Sequence, residues 1–163
     1  MRPDDDKAGK DAAAMARLLR ERALAITAAD LNLAPIEARP HVWAALMELG
    51  YRDAVASLAV FADGTSSLYI STGGGVIGAG EHKTVREAAD RFLSVVETHV
   101  SEFERADDTP LPKPGRVRFY VRTFQTTLTA EADESALKVP AHKLCPVFVA
   151  GHAVITQMRL ASP

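Results

Sequence analysis

The stretch from Val55 to Ser71, "VASLAVFADGTSSLYIS", most limits what this chain can fold into. Two extended runs flank Asp63-Gly64, a dipeptide favoured in two-residue hairpin loops because both turn positions there take positive φ. Alternation along the first run puts Leu58 and Val60 on one face and Ala59 and Phe61 on the other. On the return run Leu68 and Ile70 alternate with Tyr69. Neither face is polar. A sheet open to water on one side alternates apolar with polar residues, so this hairpin predicts a sheet covered on both faces.

The rest of the chain supplies the covers. Residues 11–29 read as a helix, with Asp11 as cap and Met15, Leu18, Leu19, Ala23 and Ile26 on one stripe. A second, short helix is expected from Pro40, with Val42, Leu46 and Leu49 sharing a face and Gly50 ending it. A long helix is expected from about Thr84 to Glu104. Thr84 and Glu87 have capping-box spacing, and Val85, Ala88, Ala89, Phe92, Val96, Val100 and Phe103 form its apolar stripe. After the proline-rich loop 107–115, "RVRFYVRTF" reads as a strand, with "TLTAEAD" as its returning partner. The final segment, "CPVFVAGHAVITQMRL", is rich in β-branched residues, but the spacing of His152, Thr156 and Arg159 and the place of Pro146 favour helix.

The order is therefore α-α-β-β-α-β-β-α. It predicts an α+β fold with a mostly antiparallel four- to five-stranded sheet and helices on both faces. With 163 residues one domain is expected, over 10–163, behind a polar, disordered tail at 1–9.

A net charge of −2 gives no electrostatic reason for nucleic acid or an anionic membrane as partner. No apolar run reaches the ~18 residues of a membrane helix, and the N-terminus lacks a signal-peptide core. Cys145 is the single cysteine, so no intramolecular disulfide forms and a reducing, cytoplasmic setting is expected.

Residues 71–84, "STGGGVIGAGEHKT", contain G-x-G-x-x-G at Gly73, Gly75 and Gly78. A dinucleotide fingerprint needs a parallel strand–helix–strand unit whose helix opens inside the motif. Here the preceding strands form a hairpin, and the capping box sets the helix start six residues late. A phosphate loop needs lysine after Gly80, where Glu81 stands. The glycines thus read first as the bend from sheet to helix. A small-anion loop built from Gly78, Gly80, Lys83 and Thr84 is the alternative, with His82 beside it.

Other chemistry is sparse. His41, His82, His99, His142 and His152 show no H-x-x-x-H pair, and His142 with Cys145 lacks a second ligand pair, so neither metal nor cofactor is expected. Arg116, Arg118 and Arg122, interleaved with Tyr120, form a basic strand face of the kind enriched at interfaces. It either covers the sheet and pairs with acids of a neighbouring helix or meets a partner. As an edge strand it could join its copy in a two-fold dimer, with Glu97 and Glu104 supplying opposite charge.

The hairpin "ASLAVFADGTSSLYIS", the helix "HKTVREAADRFLSVVETHV", a further hairpin and a C-terminal helix resemble the profilin-like architecture. Over about residues 40–160 the likeness is more specifically to the roadblock / dynein light chain family. That resemblance implies a non-catalytic domain, dimeric through the middle helix and an adjacent strand, that regulates or scaffolds small GTPases and motors. The expectation is a non-enzymatic regulatory or scaffold domain, homodimeric, with a small GTPase as a partner implied by the resemblance alone. The alternative is a small-molecule or anion-binding protein, or an enzyme, using loop 73–84 and the arginine face. Alanine and arginine richness points to a bacterial source.

Overall fold

Strand β1, Val42–Gly50, is buried along all nine residues and sits in the middle of the sheet. The computed structural model describes residues 3–163. The short helix expected after Pro40 is thus a strand. The reason is physical: a strand covered on both faces needs no polar alternation, so its period of two disappears. What remains in "VWAALMELG" is Ala, Leu, Met and Glu, all strong helix formers. Tertiary context overrides that propensity.

The sheet runs β4-β3-β2-β1-β6-β7-β5, with antiparallel neighbours throughout. Its members are β2 (Val55–Phe61), β3 (Ser66–Ile70), β4 (Gly75–Val76), β5 (Glu104–Arg105), β6 (Arg116–Thr123) and β7 (Thr127–Asp133). The α+β class and the two-sided cover agree with expectation, but the strand number and order do not. Seven strands are present among the described residues instead of four or five. One extra strand is β1. Two more are the two-residue edges β4 and β5, too short to leave a periodic signal. "RVRFYVRTF" is not an edge strand either: β6 lies between β1 and β7.

The β2–β3 hairpin forms with Leu58 opposite Leu68. Its turn differs from the one expected. Gly64 has φ 94°, whereas Asp63 does not take positive φ, and Gly64 N–H donates to Phe61 O at 3.1 Å. This is a three-residue loop ending in a left-handed glycine.

Two helices cover one face. Helix α2, Lys83–Thr98, buries Val85, Ala89, Phe92, Leu93 and Val96. Helix α4, Cys145–Ala161, packs beside it and buries Val147, Val154, Ile155 and Met158. Each large apolar side chain so buried contributes roughly 1.5–3 kcal/mol. The N-cap of α2 is His82 without a side-chain cap bond, so the capping box at Thr84 does not form. The helix also stops at Thr98, and Glu104 belongs to β5. A four-residue helix α3, Glu134–Leu137, links β7 towards α4.

Helix α1, Pro3–Ala25, covers the other face together with the segment that follows it. The tail expected at 1–9 is helical from Pro3, with residues 4–10 exposed; residues 1 and 2 lie outside the described residues. The expected apolar stripe is only half used. Leu19, Ala23 and Ile26 pack on the sheet, while Met15 and Leu18 stay exposed. The helix passes over the glycine loop so closely that a Cβ on Gly73 would lie 2.6 Å from the Ala12 Cβ.

The glycine loop bends the chain from β3 to α2. A Cβ on Gly80 would sit 1.9 Å from Gly64 O, in backbone that cannot step aside, whereas Gly74 (φ 90°) faces open space. Gly80→Ala should therefore destabilise the fold by about 2–4 kcal/mol, against about 1–2 kcal/mol of backbone strain for Gly74→Ala. Urea denaturation of both variants measures the difference; equal losses would mean that the Gly80–Gly64 contact does not constrain the loop.

Candidate functional site

The residues singled out in the glycine loop lie along the turn from β3 into α2. Gly78 (φ 72°) opens a 3-10 turn, Ala79–Glu81, and Gly80 is held against the hairpin loop. Lys83 lies 3.7 Å from Glu87, and Thr84 is exposed. Helix α2 takes two carbonyls at the end of the loop: Arg86 Nη1 donates to Gly80 O at 3.3 Å and to Glu81 O at 3.2 Å.

The arginine face is occupied within the fold. Arg116 donates to Glu131 at 2.6 Å and to Asp133 at 2.9 Å, and Arg118 pairs with Glu131. The acids come from the neighbouring strand β7, not from a helix. Arg122 donates to Leu24 O at 2.7 Å and Ile26 O at 3.0 Å, at the end of α1, and lies over the Trp43 ring. A cation there satisfies the carbonyls that a helix C-terminus leaves unpaired. Tyr120 O–H donates to Pro110 O at 2.5 Å. Glu97, expected to face a partner, instead accepts N–H bonds from His41 and Val42 and ties α2 to the start of β1.

A polar row crosses the α1 face of the sheet. Tyr69, Ser57, Glu48, Arg118 and Glu131 stand opposite one another on β3, β2, β1, β6 and β7. Glu48 at its centre has no exposure. Arg20 of α1 reaches down to it with Nε at 2.6 Å and Nη2 at 2.9 Å, and Ser57 O–H donates at 2.8 Å. Arg20 also donates to Thr109 O in the proline-rich loop. A buried carboxylate is tolerated only when paired in this way. Sequence reasoning missed the pair. Its signal was the lone charge in "VWAALMELG", which a helical reading turned outward.

Beside this network α1 and the sheet enclose a groove of about 490 Å³. Its floor is Ser57, Tyr69 and Ser71; α1 lines one wall, and Leu111 of the proline-rich loop closes the rim. On the opposite face of the sheet, the exposed residues of α4 are Pro146, Val149, Ala153, Thr156, Arg159 and Leu160. Val149 and Leu160 are 58% and 75% exposed. His152 stacks edge-on against Phe148, and burial lowers its pKa.

Cys145 is buried, and His142 Nδ1 accepts the Leu144 N–H. Among the described residues no cluster of three or more His, Cys, Asp or Glu is placed to hold a metal ion, and no helix is long and apolar enough to cross a membrane.

Comparison with known family models, curated proteins and solved structures returns no match for this chain. The chemistry of the network itself is measurable. Burial, and after it the charge of Glu48, pushes the Tyr120 phenol up to about 12. The ordinary value, near 10, applies to the unfolded chain. The fold therefore holds the phenol's proton more tightly than the unfolded chain does. This contribution is intact below about pH 10 and is lost as pH rises towards about 12, for a total of about 3 kcal/mol. Chemical denaturation across that range should show a smaller alkaline loss in Tyr120→Phe than in the parent; parallel curves would place the effect on another group.

Proposed function

We propose that this protein is a non-enzymatic regulatory or scaffold domain acting through protein–protein contacts as a homodimer. The observation that carries this reading is the outward face of α4. A helix on the surface of a domain normally turns charges to water, as α2 does with Arg86, Glu87, Asp90 and Arg91. The outward side of α4 is nearly bare of charge: Pro146, Val149, Ala153, Thr156 and Leu160 are uncharged, and Arg159, in the last turn, is the one exposed charge of the helix.

Such a face suits a second copy of the same chain. A two-fold interface joins a patch to itself, so like charges at its centre would repel; the centre of this stripe has none, and Arg159 lies towards one end, where an antiparallel crossing keeps the two copies' arginines apart. Ala153 stands at the midpoint of α4, where two antiparallel helices crossing on the axis need a small side chain. Val149 of one copy then meets Thr156 of the other, and Pro146 meets Leu160.

Helix α4 has 17 residues and so is about 25 Å long. Alone it offers less than the roughly 800 Å² per copy of a standard interface. Two further exposed apolar side chains enlarge it. Tyr51 lies close enough to Arg159 for that charge to act on its phenol, and Ile77 shares a depression with Met158 and Ala161.

This reading keeps the dimeric, non-catalytic role implied by the resemblance to the roadblock / dynein light chain family. It moves the contact from the middle helix and an adjacent strand to the last helix. By that resemblance a small GTPase is the class of partner to try first, in a cytoplasmic setting.

Light scattering at tens of micromolar should give twice the 17.5 kDa chain mass. Val149→Glu with Leu160→Glu should give a folded monomer, because both sites are already exposed. A monomeric parent protein would defeat the proposal, and a dimer untouched by the two glutamates would move the interface off α4.

A further inference from the structure

We propose that the groove between α1 and the sheet is a binding site for a small amphipathic carboxylate, a monoanion with an apolar body such as a medium-chain fatty acid. The site goes beyond the scaffold role and lies on the opposite face of the sheet from α4.

Three hydrogen-bond donors at the groove are unspent. Arg17 makes no ion pair or hydrogen bond among the described residues and is exposed at the rim. The Tyr69 hydroxyl has no partner among them, although the residue is only 9% exposed. That oxygen is also not among the sealed, unpaired polar atoms, so it opens to the groove. Ser71 Oγ accepts the Val55 N–H at 2.8 Å and keeps its own proton free. A guanidinium and two hydroxyls around one depression match a carboxylate, which the guanidinium can take with two parallel N–H bonds.

The other charges of the groove set the ligand's charge. Lys10 is engaged by Asp6, and Arg20 by Glu48. Glu21 lines the same wall one turn beyond Arg17. One free cation beside one acid favours a single negative charge and disfavours a phosphate dianion. The remaining wall, Ala13, Ala14 and Ala16 against Leu111, is apolar and fits a hydrocarbon body. The volume, about 490 Å³, lies within the usual range for small-molecule sites.

The test uses the full chain and decanoate below its micellar concentration, followed by titration calorimetry, with decylammonium as the charge-reversed control. Saturable binding of one decanoate per chain and none of decylammonium is expected. Arg17→Glu, at an exposed position, should weaken decanoate on the order of tenfold or more. Tyr69→Phe should weaken it several-fold, with an unchanged circular dichroism spectrum for both variants. Absence of saturable heat, equal affinity for decylammonium, or full affinity in Arg17→Glu would each overturn the assignment. Light scattering of the same samples keeps this outcome separate from dimerisation through α4.

Discussion

A central strand buried on both faces has to be covered twice, and the rest of the structure follows from that requirement. On one side β1 is covered by α2 and α4, whose apolar side chains join Val42, Ala45, Met47 and Leu49 in one core. On the other side the cover is α1 with the segment behind it, over Trp43, Ala44 and Leu46. The second cover is thinner and is held by polar clamps. Arg122 grips the carbonyls at the end of α1, and Arg20 of the same helix grips Glu48. The buried pair is weak evidence for added stability, since its desolvation offsets much of the attraction. Its consequence is positional: a carboxylate with no access to water admits only one placement of the arginine above it.

N-terminal to Arg20, α1 makes no side-chain hydrogen bond to the sheet among the described residues. Beyond Arg20 the helix runs over Ser57 and Tyr69 towards Gly73 without filling the space beneath, and alanines line much of that stretch. Small side chains on a helix held at its far end leave the groove open. The two faces of the sheet are thus suited to different tasks. One offers a cavity with unspent donors, and the other a helix surface with a single charge, Arg159, near its end.

The sheet's own edges offer little to a partner. Two-residue strands sit at both ends, and Gly80 is pressed against the hairpin loop near one of them. Capping of this kind blocks strand-to-strand pairing between copies. It also explains why the arginines of β6 are spent internally. With β1 on one side and β7 on the other, their side chains find Glu131, Asp133 and the end of α1 before they can find another molecule.

Local chemistry in the sequence determined a good deal. Asp63-Gly64 between apolar runs produced the β2–β3 hairpin, and its two apolar faces implied a doubly covered sheet. The stripe from Val85 to Val96 produced α2, and Pro146 with the spacing of His152, Thr156 and Arg159 produced α4. These signals survive because each depends on neighbours close in the chain. Only the tertiary structure decided the rest. It made "VWAALMELG" a strand, because burial on both faces removes the alternation that would mark it. It turned Glu48 inward to Arg20, 28 residues away, and spent the basic face on β7 and α1. It left the groove beneath α1, whose floor and walls come from segments far apart in the chain. Contacts of that range leave no period and no motif, so no local pattern could announce them.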